Sequence, residues 1–203
     1  MLIRILHRLF SHPLLYDMAQ VLAGAREVRR RVGRQVTTRE APVTVLDLGG
    51  GTGAIQPYLP GECRYICADM EMPKLRGFRR GNPRGWAVQA DGMRLPIRSS
   101  SCDAVICMFV AHHLEDEPLR VLLGEAKRVL RGGGELIFLD GVMARDRLAG
   151  RLLWWLDRGS NPRPKEALRA IVGKEWREVR EESFAVWHEY WLMAAVKSCD
   201  GGL

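Results

Sequence analysis

Val43-Thr44-Val45-Leu46-Asp47-Leu48-Gly49-Gly50-Gly51-Thr52-Gly53-Ala54 decides the fold. The first six residues are β-branched or apolar apart from Asp47, and read as a strand buried on both faces. Glycines follow at 49, 50, 51 and 53. Glycine tolerates positive φ and lets a ligand approach bare backbone, but such a run weakens a fold unless something needs the room. A short helix is expected near 54–59, and its first amides would favour a negative group. The turn alone suits two ligands. Gly49, Gly51 and Ala54 satisfy the dinucleotide pattern G-x-G-x-x-G/A. Asp47, however, would set a carboxylate where a diphosphate should lie, and would welcome an amino-acid ammonium instead. Gly53 makes the run G-x-G-x-G, and over 40 residues precede the strand. Both features favour the amino-acid ligand.

Outward from this turn, short apolar runs alternate with helical periodicity. Strands are expected at Tyr65–Ala68, Trp86–Ala90, Asp103–Val110 and Glu135–Leu139, and helices near 73–80 and 116–131. The last is the clearest: Pro118 lies in its first turn, Leu119, Leu122, Leu123, Ala126, Val129 and Leu130 form one face, and Gly132–Gly134 should stop it. Strand–helix alternation implies a doubly wound, mostly parallel α/β sheet. The tail breaks the rhythm. Helices over 144–158 and 165–173 flank a turn at Asn161–Pro164, and Glu178–Ala185 and Glu189–Val196 read as an antiparallel hairpin. At the other end, residues 1–34 read as two amphipathic helices, with Ser11 and Pro13 opening the second. One domain is expected over 1–203: a helical lid at 1–34, a cofactor-binding core at 43–142, and substrate-side helices with the hairpin at 143–197.

The 203 residues suffice for a full core without disulfides or metal. A net charge of +7 favours an anionic partner and says nothing about fold. The odd cysteine count, 5, fits no zinc pattern, and Cys67 and Cys107 lie within apolar runs, as buried thiols of a reducing cytoplasm would. No run reaches the ~20 apolar residues of a membrane span. Arg4, His7, Arg8 and Asp17 interrupt the apolar start, so no export signal is expected and the location is read as cytoplasmic.

With these elements placed, Asp47 to Gly53 resembles the first motif of class I S-adenosylmethionine (SAM)-dependent methyltransferases. The order of elements over 43–197 is similar to that family, which implies a seven-stranded Rossmann-like sheet and SAM as cofactor. In the family a carboxylate ends the second strand and binds both ribose hydroxyls. Asp69, before Met70, stands there. A second acid ends the third strand near the adenine amino group, and Asp91-Gly92-Met93 matches, with Met93 against the ring. Leu95-Pro96-Ile97 and Cys102-Asp103-Ala104-Val105-Ile106 look like a segment of the ubiquinone/menaquinone-biosynthesis-like (methyltransferase type 11) subgroup, with Ile97 and Cys102 replacing phenylalanines.

In that subgroup a histidine often lines the acceptor end, and His112 and His113 follow the fourth strand. Methyl transfer is an in-line displacement that alignment alone can drive. A hydroxyl or weakly acidic carbon acceptor would also use a base, and His112 or His113 is the candidate. Metal is not expected, since His112, His113, Glu115 and Asp116 run in line rather than at ligand spacing. Trp154, Trp155, Trp187, Tyr190 and Trp191 suit either an apolar acceptor pocket or the core. Arg26–Arg34 and Lys74–Arg84 suit a solvated basic face or an anionic partner. A small-molecule or lipid-like acceptor is the leading reading, with a peripheral membrane contact through the N-terminal helices left open. No specific nucleic acid is expected, because base-specific motifs are missing. An RNA methyltransferase, a NAD(P)-dependent dehydrogenase and a non-catalytic SAM-binding partner subunit are the competing readings.

Overall fold

The computed structural model of the chain describes residues 24–37, 42–61, 63–83, 85–143, 161–173, 176–186 and 189–197. Most of the expected N-terminal pair of helices and the helix over 144–158 lie outside them, as do Trp154, Trp155 and Trp187.

The apolar runs become seven strands of one sheet: β1 (Val43–Leu48), β2 (Cys63–Asp69), β3 (Trp86–Gln89), β4 (Cys102–Met108), β5 (Leu130–Val142), β6 (Trp176–Ala185) and β7 (Glu189–Lys197). Their spatial order is β3-β2-β1-β4-β5-β7-β6. β1 to β5 run parallel, and β7 pairs antiparallel with both β5 and β6. Every residue of β1 is buried, which is why its sequence does not alternate.

Helices cover both faces. α1 (Ala25–Gln35) and α2 (Met72–Gly81) bring Val28, Val32, Leu75 and Phe78 against Val43, Val45, Tyr65 and Ile106. α3 (Asp116–Val129) and α4 (Lys165–Val172) bring Leu119, Leu123, Leu168 and Val172 against Leu46, Val105, Phe138 and Trp191. Ala25–Gln35, the described part of the expected lid, thus packs on a sheet face through Val28 and Val32. Tyr190 and Trp191 are core residues rather than pocket residues, with Trp191 fully buried at a ring distance of 5.8 Å from Phe138.

Two boundaries differ from the sequence reading. The helix expected near 54–59 is only a 3-10 turn at Gln56–Tyr58, because Gly53 has φ +72° and Pro57 follows. α3 stops at Val129, ahead of Gly132–Gly134. Those glycines instead lie inside β5, where the register with β4 slips between Cys102↔Leu130 and Ala104↔Glu135 and Gly133 takes φ +75°. The extra residues bulge out of the ladder, a role glycine fills without strain.

The loop between β3 and β4 is clipped to α3. Glu125 accepts the Leu95 amide at 2.8 Å, and the Arg128 guanidinium donates to the Leu95 and Ile97 carbonyls at 3.0 and 2.8 Å. Glu125 and Arg128 also pair with each other at 2.7 Å. Arg128→Ala strips two charge-assisted bonds from loop carbonyls, so urea denaturation should show a loss of about 1–3 kcal/mol. An unmoved midpoint would mean that the clip contributes nothing.

Candidate active site

The carboxyl ends of the parallel strands form one edge, where open α/β sheets hold ligands. The glycine turn is tied there first. The Gly49 and Gly50 amides both donate to the Ala68 carbonyl of β2, at 2.8 and 3.0 Å. Gly49, Gly51 and Gly53 all have positive φ. A Cβ on Gly49 would lie 2.5 Å from Val110, so the turn abuts the segment after β4. A Cβ on Gly50 would strike the Asp47 carboxyl at 2.6 Å, and one on Gly53 the Phe78 ring at 2.4 Å. Gly51 differs. Its added Cβ would meet nothing nearer than Lys74 at 3.6 Å and Asp69 at 3.9 Å. Three glycines therefore serve close packing, while Gly51 alone has space for a Cβ at ordinary contact distance, its glycine being called for by φ +56°. The first amides of the turn are spent on Ala68 and Asp69, so no helix-dipole array faces that space.

Asp69 ends β2 with its carboxylate pinned twice, accepting the Gly51 amide at 2.9 Å and the Glu71 amide at 2.7 Å. Asp91 is exposed, and its side chain accepts the Met93 amide at 2.9 Å. Met93 packs partly against the core, Gly92 is buried against Leu122 and Leu48, and Met70 is exposed beyond Asp69. Asp47 is placed differently. It was expected to meet an ammonium directly, yet it lies beneath the turn, 2% exposed, and takes a hydrogen bond from the Tyr65 hydroxyl. Strand parity explains this: Asp47 points to the same face as Val45 and Tyr65, under Gly50. Burial pushes its carboxyl up to about 7, against the Tyr65 hydrogen bond, and nearby Asp69 adds to the rise.

The two histidines separate. After β4, Phe109 takes φ +60°, a strained setting for an aromatic residue, and a 3-10 turn at Ala111–His113 follows. His112 is buried, and its Nδ1 lies 2.6 Å from Oδ1 of Asp140, the acid near the end of β5. Asp140, itself buried, also accepts the His112 amide at 3.2 Å and the Gly141 amide at 2.7 Å. His113 is exposed, its ring 4.1 Å from that of His112. Arg163 holds the turn from outside, donating to the Ala111 and Leu114 carbonyls at 2.9 and 2.6 Å and pairing with Asp116 at 2.8 Å. The sequence reading missed Asp140, Arg163 and Tyr65. Asp140 was findable, since it ends a strand at the same edge as Asp69 and Asp91. Arg163 and Tyr65 carried no local signal.

Among the described residues no group of three His, Cys, Asp or Glu has metal-holding geometry, and no helix is long and apolar enough to cross a membrane. Asp103, within the Cys102–Ile106 motif, sits at the opposite edge of the sheet. It accepts the Thr44 amide at 2.7 Å and pairs with Arg131 at 2.6 Å.

Residues 46–138 match the methyltransferase domain family. The segment contains the glycine turn, Asp69, Asp91 and both histidines. Among curated proteins, an uncharacterized methyltransferase, YcgJ of Bacillus subtilis, is 27% identical over 165 residues, 77% of this chain and 58% of its own length. The thiol S-methyltransferase TMT1B of Rattus norvegicus is 31% identical over 119 residues, 55% of this chain and 48% of its own. The chain thus spans about half the length of the curated relatives it matches. The N-methyltransferase NodS of Bradyrhizobium japonicum, solved with S-adenosyl-l-homocysteine, superposes with a TM-score of 0.75 over 97% of this chain and 98% of its own at 16% identity. The sheet order and antiparallel last pair are those of the Rossmann-like methyltransferase fold.

Asp47 offers a test of the buried network. An acid whose folded pKa is raised favours the folded state at low pH, and that advantage is lost as pH climbs from the ordinary carboxylate range through about 7. Asp47→Asn removes the titration. The stability of the parent chain relative to the variant should fall between pH 4 and 8, by on the order of a few kcal/mol. Parallel thermal-melting profiles for the two proteins would refute the raised pKa.

Proposed function

We propose that this chain is a SAM-dependent methyltransferase acting on a small-molecule or lipid-like acceptor. The observation that carries the reading is the uncrowded backbone of Gly51 beside the doubly pinned Asp69 carboxylate. A ribose with two vicinal hydroxyls fits that pair: the carboxylate accepts both, and a bare glycine backbone lets the sugar approach. The groups present therefore suit SAM. Asp69 would take the ribose, while Met70, Asp91, Gly92 and Met93 would border the adenine. Gly49, Gly50, Gly51 and Gly53 would form the floor for the amino-acid portion, with Asp47 acting from beneath as a buried support. Bound there, the cofactor supplies an electrophilic methyl group on a positively charged sulfur.

His112 is the favoured acid–base group over His113, because a carboxylate orients its ring and Val110 ties its segment to the glycine turn. The name of the rat relative, a thiol S-methyltransferase, supports a small acceptor. The segments Leu95–Ile97 and Cys102–Ile106 support placement in the ubiquinone/menaquinone-like subgroup.

Calorimetry with S-adenosylhomocysteine tests the reading. The parent chain should bind it. Gly51→Ala should bind at least tenfold more weakly, a change of about 1.4 kcal/mol; because Gly51 has φ +56°, which strains an alanine, a thermal melt accompanies the titration to show that the variant is folded. Asp69→Ala should lose as much. No heat with the parent chain would overturn the assignment.

A further inference from the structure

The helices on the two faces of the sheet differ in charge. α1 carries five arginines and one glutamate, and α2 three arginines and a lysine with no acid. On the opposite face, α3 balances Asp116, Glu117 and Glu125 against Arg120, Lys127 and Arg128, and α4 sets Glu166 among Lys165 and Arg169. Pairing differs as well. Arg120, Arg128, Lys165 and Arg169 each meet a carboxylate, of Glu117, Glu125 or Glu181. On α1 the one acid, Glu27, is taken by Arg30 and Arg31. Glu71, just ahead of α2, is paired with Lys74. Arg26, Arg34, Arg76 and Arg80 are exposed, and among the described residues none of the four has an acidic partner. Helical geometry sets their direction. Val28 and Val32 face the sheet, so Arg26, Arg30 and Arg34, two positions out of phase, face away from it. Leu75 and Phe78 turn Arg76 and Arg80 outward in the same way.

We propose that the outward face of α1 and α2 is a docking surface for an anionic phospholipid bilayer. Guanidinium groups repeated at one-turn spacing match a layer of phosphates, a chemistry that lipid headgroups share with nucleic acid. Lipid is favoured on three grounds. Neither helix exposes an aromatic ring, since α1 has none and Phe78 is buried, so bases find no stacking platform. Met72, 36% exposed, opens α2 beside the arginines. At a headgroup boundary the arginine stems and a methionine leave water while the guanidinium groups stay with phosphate. The sequence leading into α1 has the same character, with Leu2, Ile5, Leu6 and Leu9 interleaved with Arg4 and Arg8. Met72 closely follows Asp69, so this face adjoins the carboxyl edge of the sheet. A bilayer held there lies beside the glycine turn, within reach of a lipid-like acceptor. The surface itself does not depend on which reaction the chain catalyses.

Vesicle flotation with the full chain tests this. The vesicles are phosphatidylcholine alone, or equal parts of phosphatidylcholine and phosphatidylglycerol. Binding should be at least about tenfold stronger to the anionic vesicles, and should weaken at least about tenfold as sodium chloride rises from about 0.1 M to about 1 M. Arg26→Gln with Arg34→Gln, and Arg76→Gln with Arg80→Gln, should each weaken binding about tenfold. Arg94→Gln with Arg98→Gln removes as much charge from exposed positions off these helices, and should leave binding within about threefold. Thermal melts of all three variants should superpose on the parent, since none of the changed arginines meets an acid. Should a double variant melt early, the single substitutions take its place. Equal losses in the Arg94 and Arg98 variant, no loss in the helix variants, or no preference for anionic vesicles would overturn the surface. Tighter binding to polyuridylate or to duplex RNA than to the vesicles, lost in the helix variants, would give the face to a polynucleotide and overturn the bilayer.

Discussion

The carbonyl of Ala68 is the fixed point of the molecule. It accepts two consecutive amides, from Gly49 and Gly50, and so welds the exit of β1 to the end of β2. One oxygen thereby sets the height of the turn, the burial of Asp47 beneath it and the reach of the Gly51 amide to Asp69. Accepting both amides requires the chain to reverse within two residues, which is why Gly49 sits at φ +75°. With that oxygen as reference, Val110 closes on Gly49 and carries the segment after β4 to the same edge. The residues proposed for the cofactor and for acid–base work thus share one local constraint.

Polar groups divide by edge. At the amino-terminal edge Asp103 ties Thr44 to Arg131. These contacts hold strands in register and face solvent, where each ion pair contributes little. At the carboxyl edge Asp47, Asp69, His112 and Asp140 are all buried, and each has a specific partner. Burying carboxylates is costly unless donors meet them. Tyr65, backbone amides and His112 meet that need, at a place where the apolar core would otherwise continue.

What the sequence disclosed follows from how each feature is encoded. Strands β1 to β5 and β7 were legible because continuous apolar runs are local, and α3 because its face repeats at helical spacing. The Ala25–Gln35 segment was recognised as a helix but not as a cover for the sheet, since a single amphipathic face does not name what it packs against. The turn at 54–59 failed because Gly53 and Pro57 outweighed a weak helical pattern. Asp69, Asp91 and the histidines were singled out through the family resemblance together with their position at strand ends. The partnership of His112 with Asp140 joins residues 28 apart in sequence, and no periodicity reports a contact of that kind. The downward orientation of Asp47 follows from strand parity, which the glycine motif obscured.

The placement of β7 has a consequence for how the chain is made. β5 carries Leu136 to Leu139, fully buried, and one of its edges is satisfied only by β7. A ribosome delivers β5 before the whole intervening stretch, and β7 after β6. Through that interval the nascent sheet presents an apolar strand with open amides and carbonyls, the kind of edge on which chains aggregate. Closing it requires the C-terminal hairpin to fold back as a unit, with Trp191 entering the core beside Phe138. Until the hairpin pairs with it, that edge of β5 is therefore the part of the sheet most open to association with another chain, whereas β1 to β4 complete their pairings from residues that precede it.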